Sequence, residues 1–157
     1  MYTKIVGTGS YLPKKVLTND DIAQLVDTND EWIRERTGIQ SRHIVEDETT
    51  VTMASMAAKD ALENANLQPE DIDLIIVATV SADNLLPSTA CSVQKELGAV
   101  NATAFDINAA CSGFLFALNT ADAYIKTGMY KNALLIGVET LSKIVDWNDR
   151  GTCILFG

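Results

Sequence analysis

The sequence predicts an α/β fold, in which a mainly parallel mixed β-sheet is covered by helices on both faces. Two apolar runs, 74–79 and 133–138, lack the polar and apolar alternation of a half-exposed strand, so each is predicted to be a strand buried on both sides. Segments with helical spacing separate the strands, and this alternation favours parallel pairing. No repeat, low-complexity run or linker interrupts the chain, and we predict a single domain over residues 1–157.

The first 45 residues are predicted to hold a strand, two short helices and an extended segment. Thr18-Asn-Asp-Asp and Thr28-Asn-Asp-Glu each place an acidic residue three positions after a threonine, the pattern of a helix capping box. Glycine commonly ends a helix, because it adopts the left-handed conformation without strain. The predicted elements are a strand at 3–11 leading into a turn at Pro13, a helix from Thr18, a helix from Thr28 that stops at Gly38, and an extended return at 39–45.

The remaining elements alternate between helix and strand. Met53, Met56, Ala57 and Ala61 have the spacing of one helical stripe, and Pro87-Ser88 is typical of a helix start. In order, the predicted elements are a helix at 52–64, a turn at 69–72, the strand at 74–79, a helix from Pro87 to Gly98, a short strand that ends before Cys111, a helix from Phe114 to Gly128, the strand at 133–138, and the start of a further strand at 152–156.

Charge and composition exclude several classes of function. The 157 residues carry a formal net charge of −9, which argues against a nucleic-acid partner, because phosphate binding needs clustered lysine and arginine. The amino terminus lacks the pattern of a secretory signal, and the most apolar segment is too short for a membrane span. Three cysteines with no metal-ligand spacing argue against a metal site and a disulfide framework. We therefore expect a cytoplasmic protein with no metal and no membrane contact.

Cys111 is the candidate nucleophile. The residues around it, Ala-Ala-Cys-Ser-Gly, are small, and they separate a short apolar strand from a long apolar helix. Such a turn permits a sharp change of direction and leaves room for a substrate. A cysteine at a helix start lies near unpaired backbone N–H groups, which favour its thiolate form and could hold an oxyanion. The alternative is that Cys111 is a buried small apolar residue, as most free cysteines are.

The string Asp106-Ile-Asn-Ala-Ala-Cys-Ser-Gly-Phe114 resembles the active-site segment of β-ketoacyl-acyl carrier protein synthase III. The resemblance extends along the whole chain, from Gly-Thr-Gly-Ser-Tyr-Leu-Pro near the start to Leu-Phe-Gly at the end. It implies the N-terminal half of the thiolase fold, with a buried helix that follows the nucleophilic cysteine. The family's subunit has two such halves, and this chain resembles the first of them.

The resemblance also implies a reaction. In the family, the cysteine takes an acyl group from a short acyl-coenzyme A, and malonyl-acyl carrier protein then condenses with it to give a 3-oxoacyl product that begins fatty acid synthesis. The cysteine works with a histidine and an asparagine from the second half. The single histidine of this chain, His43, precedes the cysteine and does not match the family's histidine. We therefore expect this chain by itself to support at most acylation of Cys111.

Four residues match the family's coenzyme A site. The resemblance implies that Trp32 stacks on the adenine, that Arg36 meets the phosphates, that Arg150 lies on the other side of the adenine, and that Thr28 is close by. Trp32 and Arg36 are one helical turn apart, which places an aromatic plane beside a cation. The alternatives are a half-buried tryptophan with a solvated arginine, and a surface pair of Arg150 with its neighbouring aspartate.

The resemblance implies further partners and leaves alternatives open. Leu86 matches a position that bounds the primer pocket and reaches across a homodimer, and its alternative role is plain packing. The implied partners are acyl-coenzyme A, acyl carrier protein and a second copy of the chain, with no cofactor beyond the coenzyme A thioester. Other thiolase-fold enzymes, such as 3-hydroxy-3-methylglutaryl-coenzyme A synthase or condensing enzymes of secondary metabolism, would share the nucleophile. A half-domain that binds coenzyme A or a partner without catalysis is the remaining alternative.

Overall fold

The computed structural model describes residues 2–157, which form two compact units. The first unit contains the described residues up to Tyr11 together with Thr49–Glu139. The second unit contains Leu12–Glu48 and Thr140–Gly157. The single domain expected over residues 1–157 stays a prediction.

Five strands and six α-helices follow one another along the described chain. They are β1 (Lys15–Thr18), α1 (Asn19–Ile22), α2 (Asp30–Thr37), β2 (Ser41–Ile44), α3 (Thr50–Ala65), β3 (Leu74–Ala78), α4 (Thr89–Leu97), β4 (Thr103–Ile107), α5 (Gly113–Lys126), β5 (Ala133–Gly137) and α6 (Arg150–Cys153). Short 3₁₀ turns lie at Pro69–Asp71, Ala110–Ser112 and Leu141–Lys143. Over residues 2–157, none of the helices combines the length and apolar character needed to cross a membrane.

A parallel three-stranded sheet with the order β4-β3-β5 organises the first unit. Leu74 of β3 lies opposite Thr103 of β4 and Ala133 of β5. Every residue of the central strand β3 is buried, whereas residues of β5 alternate between buried and partly exposed. The mainly parallel sheet predicted from the sequence is confirmed. The full burial predicted for the strand at 133–138 is wrong, because β5 has a neighbour on one side only.

Helices cover both faces of this sheet. Leu74 and Ile76 pack against Ala117 and Ala121 of α5. Side chains of alternating residues in a strand point to opposite faces, and α3 and α4 contact each other and the sheet. The α/β architecture is therefore the one predicted. Helix α5 was expected to be buried, and the structure buries only the face that carries its alanines, while its first turn exposes apolar side chains at Phe114, Leu115 and Phe116.

Residues 2–11 do not form the strand that their β-branched residues predict. The segment instead lies along helix α3, and two of its backbone N–H groups donate to helix side chains. The N–H of Thr8 donates to Asn64 Oδ1 at 3.2 Å, and that of Ser10 donates to Asp60 Oδ2 at 2.9 Å. Side chains thus satisfy donors that a neighbouring strand would otherwise pair.

The stripe predicted for helix α3 is only partly correct. Met53 is buried, but Met56 is exposed. The buried face instead includes Ala54, Ala58 and Leu62. These residues follow a helical period that begins one position after Met53, so the sequence contained two overlapping stripes of small apolar residues.

The second unit packs two short strands and three helices around a small core. Strands β1 and β2 pair in antiparallel fashion, with Val16 opposite His43. The core contains Ile22, Ile33, Cys153 and Ile154, and Trp32 and Trp147 pack against it. The strand predicted at 152–156 is wrong, because Arg150–Cys153 form helix α6, where Asp149 caps the first turn through the N–H of Gly151.

Helix ends follow the sequence closely, with one correction. Thr18 and Asp21 form the predicted capping box of α1. Gly38 ends α2 with a left-handed φ of 74°. The prediction that Thr28 caps α2 is wrong, because the cap is Asn29, whose Oδ1 accepts from the N–H of Trp32 at 2.8 Å. Thr28 lies one residue earlier, and its buried hydroxyl has no hydrogen-bond partner among the described residues.

We expect Asn29→Ala to lower the free energy of unfolding by about 1 kcal/mol, because α2 loses the acceptor for one of its unpaired N–H groups. Thr28→Val is the matched control. It removes a hydroxyl that forms no hydrogen bond in the structure, so its stability should equal that of the parent or exceed it. Urea unfolding followed by circular dichroism measures both. Equal losses in the two variants would contradict the assignment of the cap.

Candidate active site

Cys111 lies in a 3₁₀ turn between the end of β4 and the start of α5. The preceding residue, Ala110, has a left-handed φ of 45°, a conformation that costs an alanine free energy. The N–H of Ser112 donates to Ala109 O at 3.1 Å and closes the turn. The structure therefore contains the sharp strand-to-helix turn predicted from the sequence, and the side chain of Cys111 is exposed.

Close packing behind the turn fixes the start of α5. Gly113 lies so near the central strand that a Cβ atom in its place would be 3.0 Å from the Cβ of Ala78. A Cβ atom at Gly137 of β5 would likewise lie 3.3 Å from Phe114 Cδ2. Helix α5 therefore approaches the sheet through two glycines, and the turn that carries Cys111 is held against a rigid surface.

The other two cysteines have sheltered environments. Cys91 is half-buried in the first unit, and its thiol lies 3.7 Å from the carbonyl oxygen of Ala104. Cys153 is buried in the core of the second unit. Burial raises the pKa of the Cys153 thiol, and the nearby Asp149 raises it further. Because nucleophilic attack requires an accessible thiolate, Cys111 is the best placed of the three.

The sequence analysis missed the role of two carboxylates, Asp106 and Glu139, which lie near the carboxyl-terminal ends of β4 and β5. Asp106 of β4 accepts hydrogen bonds from the N–H groups of Thr89 and Ala90, at 2.8 and 2.7 Å, and so holds the start of α4. Glu139 accepts from the N–H of Val80 at 2.9 Å and from the hydroxyl of Ser81. The role of Asp106 could have been predicted from the sequence. A charged residue within an otherwise apolar strand needs hydrogen-bond partners when the strand is buried.

Leu86 lies in an exposed segment between β3 and α4, with 83% of its surface accessible. Its neighbour Leu85 is 93% exposed and lines an open cavity of about 490 Å³. The other lining residues are Thr79, Val80, Ala82, Asn84, Ser88, Asp106 and Asn108. Packing of Leu86 within a core is therefore excluded for the described chain, and its role at a pocket or dimer edge stays a prediction.

Trp32, Arg36 and Arg150 come together in the second unit. The guanidinium carbon of Arg36 lies 4.3 Å from the centroid of the Trp32 ring, and that of Arg150 lies 5.0 Å from it. Nη1 of Arg150 also donates to the carbonyl oxygen of Asp27 at 3.2 Å. Arg36 lies beside Trp32 because the two are one helical turn apart on α2. Arg150 is more than a hundred residues from Trp32 in sequence, so only the fold brings it to the same ring.

Two guanidinium groups thus lie near one aromatic ring, in a chain of formal net charge −9. Neither Arg36 nor Arg150 forms an ion pair with a carboxylate in the part of the chain that the structure describes. An aromatic ring can stack on a flat base, and guanidinium groups beside it can form bidentate hydrogen bonds with phosphate groups. His43, by contrast, lies in β2, where its Nδ1 is 2.6 Å from the carbonyl oxygen of Pro13.

Comparisons with known proteins agree with the resemblance read from the sequence. A family model for 3-oxoacyl-[acyl-carrier-protein] synthase III matches residues 105–157, which include Cys111 and Arg150. A β-ketoacyl-[acyl-carrier-protein] synthase III of Clostridium acetobutylicum is 59% identical over 154 residues, which are 98% of this chain and 47% of that protein. The chain is related to the β-ketoacyl-acyl carrier protein synthase III family.

Solved structures extend the relationship to the fold. The 3-oxoacyl-[acyl-carrier-protein] synthase III of Aquifex aeolicus VF5 superposes with a TM-score of 0.97 at 59% identity, covering 99% of this chain and 50% of that one. The priming β-ketosynthase of the R1128 polyketide pathway gives a TM-score of 0.97 at 38% identity, covering 99% and 47%. The predicted thiolase-like fold is confirmed, and the chain spans about half the length of the synthase III relatives it matches.

Proposed function

We propose that this chain contributes the acyl-accepting cysteine and the coenzyme A site of a β-ketoacyl-acyl carrier protein synthase III. The observation that carries the proposal is the exposed Cys111 on a strained turn at the start of α5, within a sequence 59% identical to a synthase III. Acylation requires a nucleophile that an incoming thioester can reach. Cys111 meets this requirement, and Cys91 and Cys153 do not.

The first stage of the reaction is transfer of the acyl group. The Cys111 thiolate attacks the carbonyl carbon of the acyl-coenzyme A thioester and forms a tetrahedral oxyanion. Backbone N–H groups that are not already bonded within the turn would stabilise this oxyanion. The tetrahedral intermediate then expels the thiolate of coenzyme A and leaves an acyl thioester on Cys111. No cofactor is needed, because the thioester supplies the activated acyl group.

The second stage forms the carbon–carbon bond. Malonyl-acyl carrier protein loses carbon dioxide, and the resulting carbanion attacks the acyl-Cys111 thioester, which releases the thiolate and the 3-oxoacyl-acyl carrier protein. The family resemblance assigns stabilisation of the enolate to a histidine and an asparagine of the second half. We therefore expect the 157 residues alone to carry out acylation at most, and we propose that the enzyme is a cytoplasmic homodimer.

A second candidate function is the priming of a polyketide chain. The similarity to the priming β-ketosynthase of the R1128 pathway favours it, at 38% identity and a TM-score of 0.97. The chemistry on Cys111 would be the same, and only the acyl donor and the carrier protein would differ. A panel of acyl-coenzyme A donors of increasing chain length separates the two, since a preference for acetyl groups supports the initiation of fatty acid synthesis.

The test compares this chain with a fusion that continues from Gly157 into the second half of the Clostridium acetobutylicum relative. Each protein is incubated with acetyl-coenzyme A, and intact-mass spectrometry records the adduct before and after addition of malonyl-acyl carrier protein. We expect one acetyl group on the fusion and its loss to product on addition of malonyl-acyl carrier protein. An unlabelled fusion with every acyl-coenzyme A in the panel contradicts the proposed function.

A separate prediction concerns coenzyme A binding. Trp32→Ala should weaken the affinity for coenzyme A about tenfold or more, because the stacking surface for the adenine is lost. Trp147→Phe is the matched control, since Trp147 packs against the same core and donates through Nε1 to Ser142 O. Isothermal titration calorimetry measures both. Equal affinities of the parent and the Trp32 variant for coenzyme A would show that the coenzyme A site does not include Trp32.

A further inference from the structure

Arg42 is a buried cation with an unusual set of partners. It lies in β2, only 6% of its surface is exposed, and it forms no ion pair with a carboxylate among residues 2–157. Its Nη2 donates to Ile154 O at 2.8 Å and to Asn19 Oδ1 at 3.0 Å, and its Nη1 donates to Leu17 O at 3.4 Å. Burial lowers the pKa of this guanidinium below its ordinary value.

Asn19 continues the chain of hydrogen bonds from Arg42 to helix α2. It is the first residue of α1 and is 1% exposed. Its Nδ2 donates to Asp30 Oδ1 at 2.8 Å and to Ile39 O at 2.7 Å. Asp30 is the first residue of α2 and also pairs with Arg34 at 2.7 Å. A connected path of hydrogen bonds therefore runs from Ile154, the residue after α6, through Arg42 and Asn19, to Asp30 at the start of α2.

The two ends of this path carry the residues around the indole. Trp32 and Arg36 lie on α2, and Arg150 is the first residue of α6. A buried charge without an opposite charge is costly, and an apolar residue of similar size often serves stability equally well. Arg42 therefore gains no stability from an ion pair. Its contribution is the set of hydrogen bonds that connects Ile154, the residue after α6, to Leu17 of β1 and Asn19 of α1.

We propose that Arg42 and Asn19 are positioning residues that set the placement of α2 relative to α6, and thereby the placement of Arg36 and Arg150 around the Trp32 ring. The inference rests on the proposed coenzyme A site for its functional meaning. A guanidinium makes several hydrogen bonds from one rigid plane, so it fixes Ile154, Leu17 and Asn19 together. A lysine or an apolar side chain in its place connects fewer of them.

The test begins from a Trp147→Phe background, in which Trp32 is the single tryptophan. The Trp32 indole N–H resonance is recorded without ligand, and the affinity for coenzyme A is measured by calorimetry. We expect Arg42→Met to stay folded, to shift the indole resonance, and to weaken coenzyme A binding about tenfold. Arg42→Lys should give an intermediate shift and an intermediate affinity. Lys15→Met, which removes an exposed cation from the same unit, should change neither.

A second variant acts at the other end of the path. Asn19→Asp keeps an acceptor for Arg42 but loses the donor to Asp30 and Ile39, and we expect it to move the indole resonance as well. If Arg42→Met does not fold, Arg42→Lys and Asn19→Asp decide the matter. An unchanged indole resonance in the folded variants overturns the proposal. If Trp32→Ala does not weaken coenzyme A binding, the proposed coenzyme A site is wrong. That outcome leaves the positioning role of Arg42 testable, because the indole resonance is measured without ligand.

Discussion

We expect Cys111→Ala to abolish the acyl adduct completely. In the fusion with the second half of the Clostridium acetobutylicum relative, we expect the parent to take up one acetyl group and the variant none, because neither Cys91 nor Cys153 is an exposed thiol. The loss should be total, since alanine offers no nucleophile and the acyl-enzyme cannot form. Intact-mass spectrometry with acetyl-coenzyme A gives the result directly.

Cys91→Ala is the control for this experiment. Its thiol is half-buried near the carbonyl oxygen of Ala104, so its removal should leave the adduct unchanged. Labelling that persists in Cys111→Ala and disappears in Cys91→Ala would transfer the role of nucleophile to Cys91 and contradict the mechanism. Proteolysis and peptide mapping then identify the modified residue.

Gly9→Ala should cause a large loss of stability in the first unit. A Cβ atom at this position would overlap the carbonyl oxygen of Ala57 and the backbone nitrogen of Ala61, and would lie 2.9 Å from the carbonyl carbon of Asp60. These are helix backbone atoms, which cannot rotate aside. Overpacking of this kind costs about 1–3 kcal/mol, and loss of the bonds from Thr8 and Ser10 adds to it.

The matched control is Gly98→Ala, at the end of α4. This glycine has a left-handed φ of 76°, and no atom lies within 4 Å of the place that an alanine methyl group would take. Alanine there costs only the backbone strain of about 1 kcal/mol. Urea unfolding compares the two. A Gly9 variant no less stable than the Gly98 variant would mean that residues 2–11 do not lie against α3 in solution.

Local patterns predicted a buried strand, two helix ends and the turn at Cys111. The continuous apolar run at 74–79 gave a strand buried on both faces, and Gly38 and Gly98 ended helices as their conformational freedom predicts. The turn at Cys111 followed from small residues placed between a strand and a helix. For the helix ends and the turn, the deciding interaction lies within a few residues of the signal. The neighbours of β3 are distant in sequence, but the unbroken apolar run is itself the sign of burial on both faces.

Elements that depend on distant partners could not be predicted in this way. Residues 2–11 have strand composition, but their hydrogen bonds go to Asn64 and Asp60 on α3. Thr28 and Asn29 are both good helix caps, and only the backbone path selects Asn29. The approach of Arg150 to Trp32 and the burial of Arg42 arise from pairing across the second unit, and neither residue differs in sequence from an ordinary surface arginine.

The three thiols differ in solvent exposure, so their modification can report on the unfolding of the protein. Cys91 belongs to one compact unit and Cys153 to the other, and each is shielded to a different degree while its unit is folded. Short pulses of an alkylating reagent, given at successive times during denaturation, therefore show when Cys91 and Cys153 become accessible as their units open. Simultaneous modification would report one cooperative transition, and sequential modification would show which of the two opens first.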